Sequence, residues 1–246
     1  MKDRVSADVG QSRGKSGGGA CALEARHITL SWDKGAHIIV RDISLRLGVG
    51  EVVCLVGRSG CGKTTIMHAL SGLSRPLKGN VFLHGEDVTG IPGRVSYMLQ
   101  KDLLLPSKRI IDNVCLPLVL GGMSVLDARA KVEPLFERFG LAGTQRRWPD
   151  ELSGGMRQRA AFLRTYLMGN DVVLLDEPFS ALDALTRTDL RGWYCNMARE
   201  LDIATLAITH DVDEAVTMAG RIYVLGGDPS HGEPSRVVAQ VKVGRL

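Results

Sequence analysis

The run Gly57-Arg58-Ser59-Gly60-Cys61-Gly62-Lys63-Thr64 has the spacing G-x-x-x-x-G-K-[ST], the pattern of a loop that holds phosphate. Glycines let such a loop curl until successive N–H groups face one anion, and a helix that follows adds the positive end of its dipole. In that arrangement Lys63 reaches the β- and γ-phosphates and the Thr64 hydroxyl binds Mg²⁺. Gly57, Ser59, Gly60, Cys61, Gly62 and Thr65 complete the candidate phosphate set. A second group is Asp176-Glu177, at the end of the apolar run Asp171-Val-Val-Leu-Leu-Asp176. Carboxylates at the end of a buried strand lie where open α/β sheets bind ligands. There Asp176 holds Mg²⁺ through its water shell, and Glu177 polarises or positions an attacking water. The competing reading is an acidic pair capping the next helix, which Pro178 would start. A third group is Leu152-Ser-Gly-Gly-Met-Arg-Gln-Arg159. Ser153, Gly154 and Gly155 at a helix start offer a second anion site, made of backbone N–H groups, a hydroxyl and the dipole. One phosphate loop plus one extra anion site implies that the extra site serves another molecule's nucleotide. Taken alone, the same residues read as a plain serine N-cap.

These groups need rigid elements around them. Glu51–Val56 reads as a short buried strand into the loop, and Thr65–Leu70 as the start of a helix. His27–Trp32, His37–Val40 and Ile43–Leu47 alternate as antiparallel strands do. Val81–Gly85 and Val95–Leu99 are further strand candidates, with Tyr97 and the Met and Phe positions read as core. Residues 102–169 have helical patterning. Asp127–Phe139 places Val132, Leu135, Phe136 and Phe139 at helical spacing, with Pro134 as a candidate interruption. Gly154–Met168, Asp183–Glu200 and Val212–Met218 read as helices. Asp171–Asp176 and Ala204–Thr209 read as buried parallel strands, and Arg221–Leu225 as another strand. Strands alternating with helices predict an α/β fold with a mainly parallel sheet covered on both faces.

Composition narrows the class. The 246 residues are 44% hydrophobic and 24% charged, enough for one α/β domain with a subdomain, and the net charge of +4 selects no partner. The count of five cysteines is odd and lacks metal spacing, which predicts a reducing compartment. The N-terminus lacks the apolar stretch of a signal peptide. No apolar run approaches the roughly 18–20 residues of a membrane helix. A membrane role therefore requires a partner. Residues 1–22, rich in Gly, Ser, Lys and Arg, read as a disordered tail, a solvated extension more than a basic arm for lipid or nucleic acid. Residues 23–246 form the domain.

Taken in order, the motifs resemble the ATP-binding subunit of ABC transporters over nearly all of residues 23–246. Gly57–Thr65 resembles its Walker A loop, Gln100 in Tyr97-Met-Leu-Gln-Lys its Q-loop, and Leu152–Gln158 its signature. Val172–Glu177 resembles Walker B with the catalytic glutamate, Ser180-Ala-Leu-Asp183 the D-loop, and Thr209-His210-Asp211 the H-loop. Trp32 sits where the family places an aromatic that stacks on adenine. The resemblance implies a P-loop domain with an antiparallel β subdomain and an inserted helical subdomain, about 101–166. It implies ATP hydrolysis with Mg²⁺ held near Thr64, Gln100 and Asp176, and Glu177, His210 and Gln100 as catalytic residues. Two such subunits would sandwich each ATP between one Walker A loop and the other's Ser153-Gly154-Gly155, with Asp183 reaching across the interface. The implied partners are a second copy, transmembrane permease subunits and an extracytoplasmic substrate-binding protein, with no nucleic acid. The implied place is the cytoplasmic face of the membrane.

The stretches Gln100–Pro106, Ile111–Val114, Leu182–Arg187 and Thr209–Val216 resemble the nitrate/sulfonate/taurine importers, a group that includes importers of thiamine-precursor pyrimidines. Ser107-Lys108 departs from it, since the group usually has an aromatic after the proline. The chain ends soon after the last predicted strand, which leaves no room for a regulatory C-terminal domain. Other classes fit less well. Soluble ABC ATPases usually carry two nucleotide domains or a long coiled-coil insertion. A GTPase would need an Asn-Lys-x-Asp motif, which is absent. An exporter subunit is disfavoured only by the importer-type stretches.

Overall fold

The computed structural model describes residues 21–33 and 35–244. The predicted tail lies outside the described residues up to position 20, and its last two residues, Cys21 and Ala22, already belong to a strand. In chain order the elements are β1 (Cys21–Ser31), β2 (Ile38–Gly48), β3 (Val52–Val56), α1 (Lys63–Leu70), β4 (Lys78–Leu83), β5 (Glu86–Asp87) and β6 (Ser96–Met98). They continue with α2 (Ile110–Leu120), α3 (Val125–Arg138), α4 (Gly154–Tyr166), β7 (Val172–Asp176) and α5 (Ala184–Glu200). The last are β8 (Ala204–Thr209), α6 (Val212–Met218), β9 (Arg221–Asp228) and β10 (Glu233–Lys242).

The strands form one sheet in the order β5-β4-β1-β2-β10-β9-β3-β8-β7-β6. The β5-β4-β1-β2 part is antiparallel. The β9-β3-β8-β7-β6 part is parallel. Between them, β10 pairs antiparallel with β9 and meets β2 in parallel at Ser235 and Val40.

Side chains alternate across a strand, and this sorts the parallel strands onto two cores. Val53, Leu55, Val172, Leu174, Leu206 and Ile208 face α1 and the antiparallel strands. Cys54, Val56, Val173, Leu175 and Ala207 face α4, α5 and α6. A strand buried on both faces reads as a continuous apolar run, as β3, β7 and β8 do. A third core joins α2, α3 and one side of α4 around Ile110, Val114, Val132, Phe136 and Leu163.

One expectation is corrected, and one strand was not foreseen. Pro134 does not interrupt its helix, and α3 runs unbroken from Val125 to Arg138. Proline removes one N–H and leaves the carbonyl four residues earlier unpaired. Pro134 and Ala130 are both exposed, so water can serve that carbonyl, while Val132 and Phe136 hold the opposite face in the core. Strand β10, by contrast, has no counterpart in the sequence reading. Most of its side chains are exposed, so it lacks the apolar run that marks the other strands.

Phe136 is fully buried in the three-helix core. Phe136→Ala should lower the free energy of unfolding by about 3–5 kcal/mol in denaturant titration. A loss below about 1 kcal/mol would contradict a tightly packed helical core.

Candidate active site: a phosphate loop beside three strand ends

Four adjacent strands, β3, β8, β7 and β6, run parallel, so their carboxyl ends share one edge. Neighbouring strands lie about 4.8 Å apart, which brings residues distant in sequence within side-chain reach. The loop Gly57–Gly62 leaves β3, His210 follows β8, Asp176 and Glu177 close β7, and Gln100 follows β6.

The phosphate loop is tightly built. Cys61 N–H donates to the Arg58 carbonyl at 3.3 Å, and Ile66 N–H to the Gly62 carbonyl at 3.0 Å. Gly62 has φ +92°, and a Cβ there would lie 2.8 Å from the Ile39 side chain, so only glycine fits. Gly57 and Thr65 are half-buried, Ser59 and Gly60 exposed. Cys61 is buried, and burial pushes its thiol pKa up. Lys63 is also buried, and its Nζ donates to the Gly57 and Arg58 carbonyls at 2.8 and 2.9 Å. An ammonium has three N–H donors, so one remains for a phosphate oxygen.

Thr64 Oγ1 donates to Asp176 Oδ2 at 3.0 Å, and Tyr97 Oη donates to the same oxygen at 3.1 Å. Burial raises the Asp176 pKa, and these two hydroxyls work against that rise. Tyr97 was read as core. Its ring does pack against the core, but its hydroxyl reaches the carboxylate, and burial beside Asp176 pushes its own pKa up. No spacing rule could have found this contact, because its partner lies 79 residues away.

Glu177 has φ +44°, unusual for a non-glycine residue, and its N–H donates to the Ile208 carbonyl at 3.0 Å. Backbone strain of this sort collects at functional sites. One Glu177 oxygen lies 3.1 Å from His210 Nδ1, and the other accepts from Gln100 Nε2 at 3.4 Å. His210 and Gln100 are exposed and Glu177 is half-buried. The capping-pair reading of Asp176-Glu177 therefore gives way to two carboxylates with separate partners.

The structure thus brings together the loop, Thr64, Asp176, Glu177, Gln100 and His210. Among the described residues, no group of three or more His, Cys, Asp or Glu could hold a metal. The oxygens of Thr64 and Asp176 fit Mg²⁺ as a partial set, since Mg²⁺ takes one or two carboxylates and completes its shell with water and phosphate oxygens.

The remaining candidates stand apart. Trp32 lies in the bend after β1 and is 76% exposed. The bend is braced by Asp33, which accepts from Ser31 Oγ at 3.0 Å and from His37 N–H at 2.7 Å. Ser153 is exposed and caps α4 by accepting from Met156 N–H at 3.3 Å. A Cβ on Gly154 would lie 3.0 Å from Leu182, and one on Gly155 3.0 Å from Thr186, so these glycines let α4 approach the start of α5. Asp183 caps α5 through Thr186 N–H at 3.0 Å, which holds its carboxyl below the usual range.

Comparison with known proteins decides the family. Residues 40–180 match the ABC transporter family. The formylaminopyrimidine import ATP-binding protein of Halalkalibacterium halodurans is 37% identical over 210 residues, which cover 85% of this chain and 82% of that protein. The nitrate import ATP-binding protein of Synechococcus elongatus is 36% identical over 204 residues, 82% of this chain and 74% of that one. The chain belongs to the ABC transporter family. A dimeric bacterial ABC transporter cassette superposes with a TM-score of 0.75 at 23% identity, covering 91% of this chain and all of the other. The expected α/β fold, with mainly parallel and antiparallel parts, is therefore the ABC ATPase fold. The chain is an ATPase that uses ATP and Mg²⁺.

Removing the Tyr97 hydroxyl leaves Asp176 with one side-chain donor. Tyr97→Phe should raise the Mg²⁺ concentration for half-maximal ATPase several-fold, about the effect of losing one hydrogen bond to a charged group. An unchanged Mg²⁺ dependence would show that Tyr97 does not support Asp176.

Proposed function

We propose that this chain is the ATP-hydrolysing subunit of a membrane importer for a small solute, of the nitrate, sulfonate, taurine or thiamine-precursor kind. The observation that carries the reading is the Glu177 carboxylate, held between Gln100 and His210 beside the Thr64–Asp176 pair. The import ATP-binding relatives support the direction of transport.

Each residue then has a task. Backbone N–H groups of Gly57–Thr65 cradle the phosphates, and Lys63 gives its free N–H to a phosphate oxygen. Thr64 and Asp176, with Gln100, hold Mg²⁺. When bound, Mg²⁺ offsets negative charge on the phosphate oxygens. Glu177 orients the attacking water, and His210 and Gln100 fix the Glu177 carboxylate. Trp32 offers an exposed aromatic face to adenine. Ser153, Gly154 and Gly155 meet the nucleotide of a second copy, and Asp183 faces that copy. The γ-phosphate is then shared by two subunits, so its binding closes the pair and its loss opens it.

The transporter setting follows. No helix among the described residues is long and apolar enough to cross a membrane. In this reading the membrane path belongs to permease subunits. The helical subdomain, about 101–166, docks on them at the cytoplasmic face. An extracytoplasmic binding protein delivers the solute, and nucleic acid has no part.

Ser153→Arg should cut hydrolysis at least about tenfold while the affinity of the single subunit for ATP stays within about twofold. Hydrolysis at the full rate would contradict the shared site.

A further inference from the structure

Helix α4 begins at Ser153–Gly155 and carries two arginines toward the segment that follows Gln100. Arg164 is half-buried, and burial pulls its pKa below the ordinary arginine value. Its guanidinium donates to the Leu103 carbonyl at 2.8 Å and also to the Asp102 carbonyl. Arg157, two turns earlier, places Nε 3.4 Å from Asp102 Oδ2 and donates to the Leu152 carbonyl at 2.8 Å. The clamped segment is an irregular one. Leu103 has φ +47°, and Asp102 Oδ1 accepts from Leu104 N–H at 3.2 Å. A third contact from the same helix reaches the other side of the site. Gln158 donates to the carbonyl of Pro178, the residue after Glu177.

A rigid guanidinium fork spanning two successive carbonyls fits only one shape of the loop beneath it. A half-buried charge loses hydration and regains it as charge-assisted hydrogen bonds only while that shape persists. Packing of α4 alone would be met by an aliphatic side chain. The paired donors therefore fix the register of the segment after Gln100 against the helix that starts at Ser153.

We propose that Arg164 is a positioning residue. With Arg157 on Asp102, it locks Asp102–Leu103 to α4, so that Gln100 and Ser153–Gly155 move as one piece. Contact of Ser153 with the partner's nucleotide then sets where Gln100 stands against Glu177 of the same chain. This inference rests on the shared-site reading of Ser153–Gly155.

The test uses the full chain with Arg164→Met, Arg164→Lys and Asp102→Asn. It measures kcat and KM for ATP, the Hill coefficient, binding of a fluorescent ATP analogue, and thermal unfolding. Arg164→Met should lower kcat about tenfold or more and bring the Hill coefficient toward unity, with analogue affinity within about twofold. Arg164→Lys keeps the charge and one donor direction and should recover a substantial part of kcat. Asp102→Asn should show a smaller fall of the same kind, and it decides alone if Arg164→Met does not fold. Wild-type kcat in Arg164→Met, or in Asp102→Asn where that variant decides, overturns the proposal. So does a joint fall of kcat, affinity and melting midpoint without rescue by lysine, which marks a merely structural role. Ser153→Arg runs alongside. Full activity in that variant would remove the shared site itself, whereas an inactive Ser153→Arg beside a fully active Arg164→Met would remove only the clamp.

Discussion

The site depends on the parallel pairing of β3, β8, β7 and β6. Val56 stands opposite Thr209, Asp176 opposite Ile208, and Met98 opposite Leu175. That register puts the phosphate loop, His210, Glu177 and Gln100 at one edge in strand order. A slip of one residue would turn every side chain of a strand to the other face and carry Asp176 away from Thr64. Because these strands are buried on both faces, two cores hold the register at once.

On that frame the charged groups satisfy one another. Lys63 rests on loop carbonyls, Asp176 on two hydroxyls, and Glu177 between Gln100 and His210. Each interaction leaves capacity for a phosphate or a metal, whether a third ammonium donor, further carboxylate lone pairs, or exposed amide and imidazole groups. Nucleotide binding at such a site exchanges internal partners for phosphate oxygens and a metal. Helix α4 touches both the Gln100 segment and Pro178, so Ser153–Gly155 share a rigid element with the neighbours of Gln100 and Glu177.

Features written locally were legible in the sequence. The loop spacing fixed the β3–α1 junction, continuous apolar runs marked β7 and β8, and Asp183 and Ser153 cap helices where their types predict. Asp176 and Glu177 could be placed at the site because a strand end is a known ligand edge. Features set by distant partners were not legible. Tyr97 reads as one more apolar strand residue until β7 lies beside it, and nothing in the sequence singles out Arg164, whose partners Asp102 and Leu103 lie 62 and 61 residues away. Strand β10 is mostly exposed and held largely by backbone pairing with β9, which leaves no apolar period. Pro134 argued against a continuous helix, and solvent on that face overrode it.

The central claim is that two copies close around shared ATP, and the mass of Glu177→Gln measured by light scattering with and without Mg-ATP tests it most directly. The substitution keeps the side-chain shape while removing the carboxylate proposed to orient water, so ATP should persist. A monomer that becomes a dimer only with Mg-ATP is the predicted result. A chain that binds ATP yet stays monomeric at every concentration would contradict closure by shared nucleotide.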